Sequence, residues 1–271
     1  MSSGQKVGPA ITVTALDRDF DVKGEIFQAL KDISLSVDEG QFVSIVGPSG
    51  CGKSTLLQIV AGLLPATGGT VQVDGVTVTK PMPGKIAVVF QEATLLPWKS
   101  ALDNIEFPLK AQGVPKAERT KRAVDMLDLV GLTGFGDRYP HELSGGMQQR
   151  VSIARSLAQQ PRIILMDEPF GALDEQTRTK MGQELLTIWQ RTKKTIVLIT
   201  HSLTEAIYLS DVIYVMGRGP GRILERIEVP LGRPRDLDTI GSPEFGVLRN
   251  RLWHLITDSE PVSDKAVVYE G

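Results

Sequence analysis

Residues 47–55 read Gly47-Pro48-Ser49-Gly50-Cys51-Gly52-Lys53-Ser54-Thr55, and their setting decides the architecture of the chain. An apolar run at 42–46 precedes them and a helix-like run at 56–62 follows. Strand, glycine loop, helix is the context that a phosphate-binding loop requires. Gly47, Gly52, Lys53 and Ser54 meet the spacing G-x-x-x-x-G-K-[ST]. Glycine adopts backbone conformations that a Cβ forbids, so main-chain N–H groups can converge on an anion without steric block. The helix that starts here aims its unpaired N–H groups and the positive end of its dipole at the same point. In such a loop Lys53 reaches the β- and γ-phosphates, the Ser54 hydroxyl serves Mg²⁺, and Thr55 adds one more donor. A glycine-rich turn that only capped a helix would need neither the lysine nor the hydroxyl at these places. The stretch predicts a nucleoside triphosphate site.

Composition narrows the class. The 271 residues are 41% hydrophobic and 23% charged, which is ordinary for a globular chain, and they suit one large domain or a domain with an insertion. The net charge of −2 shows no basic excess, so no nucleic-acid partner is expected. Cys51 is the one cysteine, which excludes an internal disulfide or cysteine-based zinc site and fits a reducing compartment. The first residues lack the apolar core of a signal peptide. Apolar runs such as 86–90 and 163–166 are far shorter than the roughly 18 residues of a membrane helix, so any membrane is expected to be met from outside the bilayer.

Taken in order, residues 1–10 read as a mobile tail. Residues 11–16 alternate apolar with polar, a strand signal, and Asp19-Phe20-Asp21 falls in a polar, glycine-containing turn. A second strand is expected at 33–37. Residues 70–78, broken at Asp74-Gly75, read as a hairpin with a two-residue turn. The front of the chain is therefore expected to be mixed antiparallel β around the one strand that delivers the phosphate loop. Residues 86–90 predict a buried strand with Gln91 at its carboxyl end, the end beyond which open α/β sheets bind ligands. Apolar spacing then turns helical at 102–109 and 116–130, a helical insertion without a heptad arm. Ser144 is an N-cap by type, ahead of a helix over 151–160. Gly145 and Gly146 weaken a helix but expose its N–H groups, which makes a second anion-binding helix start. Another buried strand, 163–166, ends in Asp167-Glu168-Pro169. Near a phosphate loop, Asp167 is placed to hold Mg²⁺ through water and Glu168 to take a proton from an attacking water. Leu173-Asp174 leads into a helix over 176–191, and a strand over 195–200 sets His201 at its carboxyl end, level with Gln91 and Asp167. A helix at 204–210, a closing hairpin of 212–216 with 223–229, a polar loop at 231–241 and a helix at 245–256 complete the chain before it frays.

The succession of phosphate loop, Gln91, Leu143-Ser144-Gly145-Gly146, Asp167-Glu168, Leu173-Asp174 and His201 resembles the ATP-binding subunit of an ABC transporter over residues 11–230. The resemblance implies an α/β fold: a P-loop NTPase core with an antiparallel β subdomain and an inserted helical subdomain at about 95–160. Residues 231–271 would be a C-terminal extension with one helix. It also implies a head-to-tail homodimer, each ATP lying between the phosphate loop of one chain and the Ser144–Gly146 cradle of the other. Glu168 would be the general base, His201 a γ-phosphate contact, and Asp174 a bridge across the dimer. Gln91 would sense Mg²⁺ and the water and couple to transmembrane permease subunits, so that Ser54, Gln91 and Asp167 form the metal set. An aromatic should stack on adenine; Phe20 matches that position, with Phe27 as its rival, and stacking needs only a ring face.

Residues 89–98 (Val-Phe-Gln-Glu-Ala-Thr-Leu-Leu-Pro-Trp), 166–174 and the Gly-Arg-Gly-Pro-Gly-Arg run at 217–222 are similar to the nitrate, sulfonate and taurine importer group. Those importers pair a two-copy permease with a solute-binding protein. Met147 stands where the commonest signature has glutamine, and Gly171 where a serine precedes Ala172; both changes occur within the group. The resemblance thus implies a peripheral ATPase on the cytoplasmic side of the inner membrane, coupling ATP hydrolysis to uptake of a small solute. The alternative is a soluble ABC ATPase outside transport. Such proteins of DNA repair or chromosome handling carry long coiled-coil insertions or zinc motifs, and this sequence has neither. A regulator without turnover would tolerate loss of Glu168 or His201, and both are present.

Overall fold

The computed structural model describes residues 8–171 and 173–258; most of the expected N-terminal tail and the end after residue 258 lie outside the described residues. The chain opens with a long hairpin of β1 (Ile11–Val22) and β2 (Glu25–Val37). β3 (Phe42–Val46) delivers α1 (Lys53–Val60), and β4 (Gly68–Val73) turns through Asp74-Gly75 into β5 (Val76–Thr77). β6 (Ile86–Val89) leads to α2 (Ala101–Ala111), α3 (Lys116–Leu129) and α4 (Gly145–Ala158). β7 (Ile163–Asp167), α5 (Glu175–Thr192), β8 (Thr195–Ile199), α6 (Leu203–Leu209), β9 (Val212–Gly217) and β10 (Arg222–Glu228) follow. Two helices, α7 (Leu237–Ile240) and α8 (Pro243–Thr257), end the described chain.

The strands form two sheets. One is antiparallel, in the order β2-β1-β4-β5; the other runs β10-β9-β3-β8-β7-β6 and is parallel except for the β9–β10 hairpin. β3 therefore lies inside the second sheet, between β9 and β8, in the α/β core that carries the phosphate loop. The physical reason is burial on both faces: every residue of β3 and β8 is buried, and strands of this kind read as unbroken apolar runs. In β3, β7 and β8 the pleat divides the side chains by parity. Phe42, Val46, Ile164, Met166, Ile196 and Leu198 feed a core with the helices, and Val43, Ile45, Ile163, Leu165, Val197 and Ile199 a second core with α1 and the antiparallel sheet. A fully buried side chain of this size contributes about 1.5–3 kcal/mol, so slipping any of these strands by one residue is prohibited.

Three expectations are corrected. Asp19-Phe20-Asp21 is strand, not turn: β1 stays paired with Gln28, Phe27 and Ile26, and the reversal falls at Lys23-Gly24, both with positive φ. This part of the hairpin extends past the core, so its side-chain pattern follows solvent and not the sheet. The helix of α4 begins at Gly145, earlier than expected, with the Ser144 hydroxyl accepting from Met147 N at 3.3 Å. The polar stretch after residue 230 also holds a helix, α7, capped by the reciprocal Asp236–Thr239 pair, so the described extension has two helices and not one.

The extension is tied to α6. The guanidinium of Arg235 is buried and donates to the carbonyls of Ile207, Tyr208 and Ser210, satisfying the open end of that helix. Burial lowers its pKa to about 10. Arg233 pairs with Asp211 and lies over the Trp189 ring at 4.2 Å. Among the described residues no helix is long and apolar enough to cross a membrane.

Candidate active site

The loop between β3 and α1 is threaded through a narrow space. A Cβ on Gly47 would come within 2.4 Å of Met216 O at the end of β9, and one on Gly52, at φ 93°, within 2.5 Å of a Leu30 methyl on β2. Gly50 faces open space, where a Cβ would meet nothing within 4 Å. Its φ of 78° is one that side chains rarely adopt. Lys53 Nζ is buried beneath the loop and donates to Gly47 O and Pro48 O, both at 2.9 Å. Arg218, from the turn after β9, donates through Nε to Ser49 O at 3.1 Å. Cys51 turns its thiol into the core, where burial pushes its pKa up; what it offers the open side of the loop is main chain.

Ser54, in the first turn of α1, donates to Asp167 Oδ1 at 3.0 Å across the carboxyl ends of β3 and β7. Burial raises the Asp167 pKa first of all, and the neighbouring Glu168 charge raises it further, while the Ser54 hydrogen bond lowers it. Among the described residues no cluster of three His, Cys, Asp or Glu could hold a metal alone. A hydroxyl, one carboxylate and the Gln91 amide make a sparse oxygen set, which fits Mg²⁺ completed by phosphate oxygens and water. A buried, crowded carboxylate is held at a cost in the folded state. Its folded pKa exceeds the unfolded value of 3.8, so the cost grows as pH rises above that value. Asp167→Asn is accordingly expected to melt at a higher temperature than the parent without nucleotide and to gain less from added Mg²⁺-ATP. Thermal scans with and without Mg²⁺-ATP check both.

Glu168 Oε2 lies 2.9 Å from His201 Nδ1. Glu168 has φ 43°, an uncommon backbone state for a residue with a side chain; its N–H donates to Ile199 O at the end of β8, and Gly171 N–H donates to Glu168 O to close the turn. A Cβ on Gly171 would stand 3.2 Å from Gln91 Nε2 and 3.6 Å from Glu168 Oε2. Gly171 thereby leaves Gln91 and Glu168 room to face the same space.

The remaining candidates are placed as follows. Phe20 and Phe27 are cross-strand partners of β1 and β2, so they share a sheet face. Phe20 is half-buried with the Arg18 guanidinium over one face at 4.3 Å, whereas Phe27 is 58% exposed. Ser144 caps α4; Cβ atoms on Gly145 and Gly146 would face Leu173 and Thr177 at the entry to α5. Asp174 caps α5, and the Thr177 N–H bonded to it at 3.0 Å holds its carboxyl below the usual range. Sequence reasoning missed Arg18, Arg178 and Glu205: Arg18 lies over a ring of its own strand, and Arg178 and Glu205 meet only where α5 packs against α6.

Residues 30–171 match the family model described as ABC transporter. The chain is 48% identical to an uncharacterized ABC transporter ATP-binding protein of Methanocaldococcus jannaschii, over 92% of this chain and 91% of that one. It is 47% identical to a nitrate import ATP-binding protein of Synechocystis sp. (88% of this chain, 89% of that one). A taurine import ATP-binding protein of Rhizobium johnstonii is 44% identical (90% and 94%). The fold superposes on a dimeric ATP-binding cassette in a post-hydrolysis state bound to ADP and Pi. There the TM-score is 0.72 at 35% identity, covering 82% of this chain and all of the other. Matching the family model over more than half of its length and these relatives over most of theirs, the chain belongs to the ABC transporter family, as an ATP-binding subunit and an ATPase.

Proposed function

We propose that this protein energises an importer of a small solute of the nitrate, sulfonate or taurine type. It works as a head-to-tail homodimer on the permease subunits, peripheral to the cytoplasmic face of the inner membrane and served by a solute-binding protein. Residues 11–230 act as the ATPase cassette, with the helical subdomain at about 95–160. The observation that carries hydrolysis is the 2.9 Å contact of Glu168 with His201 beside the Ser54–Asp167 pair. The names of the nitrate and taurine import relatives support the solute class.

The loop N–H groups of residues 47–55 and the Lys53 amine bind the ATP phosphates, and Phe20 stacks on adenine with Arg18 behind its ring. Ser54, Asp167 and Gln91 hold Mg²⁺, which supplies charge neutralisation at the phosphates. Glu168 takes the proton of the attacking water, and His201 orients that carboxylate and contacts the γ-phosphate. Asp174 and the Ser144–Gly146 cradle complete the partner's site. Ser144→Arg is therefore expected to bind ATP without hydrolysing it, and mixing it with Lys53→Ala to restore one complete site per heterodimer. Normal turnover by Ser144→Arg alone would refute the composite site.

A groove of about 630 Å³, lined in part by Gln91, Thr94, Leu95, Pro140 and Gln148, opens beside the Gln91 end of β6, with Trp98 71% exposed in the same loop region. A permease segment seated there would read the state of Gln91. Tagged protein recovered from solubilised membranes should carry a hydrophobic integral protein with it, and Trp98→Asp should weaken that association. Recovery of the chain alone under mild detergent would favour an ATPase outside transport.

A further inference from the structure

Arg178 and Glu205 lie outside the motifs that carry the phosphate chemistry, yet they join two of its loops. Arg178, in the first turn of α5, donates through Nη2 to Leu173 O at 3.0 Å, holding the segment that ends in Asp174. Its Nε is buried and lies 3.6 Å from Glu205 Oε1, close enough for an ion pair but without a hydrogen bond. Glu205, in the first turn of α6, is nearly covered, its side chain 11% exposed. Its other oxygen accepts from Thr200 Oγ1 at 2.6 Å, and Thr200 Oγ1 in turn accepts from Ser202 N at 3.0 Å. These bonds pin the residues on either side of His201, whose ring meets Glu168.

We propose that Arg178 and Glu205 are positioning residues for hydrolysis: a partly buried charge pair that sets the His201 loop in register with the Leu173–Asp174 segment. The proposal rests on the reading of Glu168 and His201 as the hydrolytic pair. Desolvation disfavours the Glu205 carboxylate, and the Arg178 charge opposes that effect. Without Arg178 the Thr200–Glu205 bond still holds the His201 loop to α6, but that unit is no longer tied to the Leu173–Asp174 segment. Asp174 faces the dimer partner in the composite site, so the pair lets the partner's approach reach His201 from within one chain.

The test measures kcat, KM for ATP and melting temperature of the full chain as Arg178→Met, Arg178→Lys, Glu205→Gln and His201→Ala, and of Arg178→Met combined with His201→Ala. Displacement of a reacting group by about 1 Å costs on the order of 100-fold, so Arg178→Met is expected to lower kcat by about 10- to 100-fold. KM should stay within about threefold, since the phosphate loop is untouched. Arg178→Lys, which keeps the charge beside Glu205, should recover part of the loss. Added to His201→Ala, Arg178→Met should cost little more, because both act through one group. Equal losses in both backgrounds, or a lowered melting temperature with normal kcat, overturn the positioning role alone. Normal turnover by His201→Ala overturns the role together with the hydrolytic reading beneath it. Should Arg178→Met fail to fold, Glu205→Gln, which keeps its shape and can still accept from Thr200, carries the same comparison.

Discussion

Glu168→Gln is expected to bind ATP, to hydrolyse it about 10²–10⁴-fold more slowly, and to accumulate as an ATP-dependent dimer. Glutamine preserves the outline of the carboxylate and can still meet His201 Nδ1, but it cannot take a proton from water. The Ser54–Asp167 pair is untouched, so metal and phosphate binding survive. In the proposed composite site each ATP would touch both chains and favour the closed state by its greater affinity for it. Blocking hydrolysis keeps the γ-phosphate in place and the dimer shut. Size-exclusion chromatography with and without Mg²⁺-ATP reads the dimer, and phosphate release reads the rate. Rapid turnover, or a monomer under both conditions, would remove Glu168 from the role of base.

Lys53→Ala attacks the other half of the chemistry. The Nζ hydrogen bonds to Gly47 O and Pro48 O hold the two ends of the lysine's reach under the loop before nucleotide arrives. Alanine removes the cation that meets the β- and γ-phosphates and also leaves both carbonyls without their donor. A hydrogen bond to a charged group contributes about 1.5–3 kcal/mol, so ATP affinity should fall by about 10- to 150-fold. Turnover should drop to background at any ATP concentration, because the same charge is needed as the bond to the leaving phosphate breaks. Titration with a fluorescent ATP analogue and a steady-state assay separate the two losses. Activity near that of the parent would mean that residues 47–55 do not cradle the phosphates.

The site was legible to the extent that single positions carry its chemistry. Residues 47–55, Gln91, Asp167, Glu168 and His201 each stand at the carboxyl end of an apolar run, and a parallel strand buried on both faces advertises itself by such a run. Which strands become its neighbours is not written in that pattern: β3 lies between β8 and β9, both far along the chain. Past the core, apolar spacing loses its meaning, so Asp19-Phe20-Asp21 read as a turn while the ladder to β2 continued. Short capped helices such as α7 are set by a side-chain hydrogen bond and not by periodicity. Arg178 and Glu205 look like solvated charges on two amphipathic helices; only the packing of α5 against α6 buries them together.

The order of strands around β3 has a bearing on biosynthesis. β3 pairs only with β8 and β9, both of which are translated long after the phosphate loop. At about 5–20 residues per second, the roughly 150 residues between β3 and β8 take about 7–30 s to make. Throughout that interval the nascent chain displays Gly47–Thr55 with nothing beside its strand and no Met216 carbonyl against Gly47. The fold therefore withholds its nucleotide site until nearly the whole cassette has left the ribosome. A prematurely terminated fragment ending before β8 would carry every residue of the phosphate loop and still be unable to form the site.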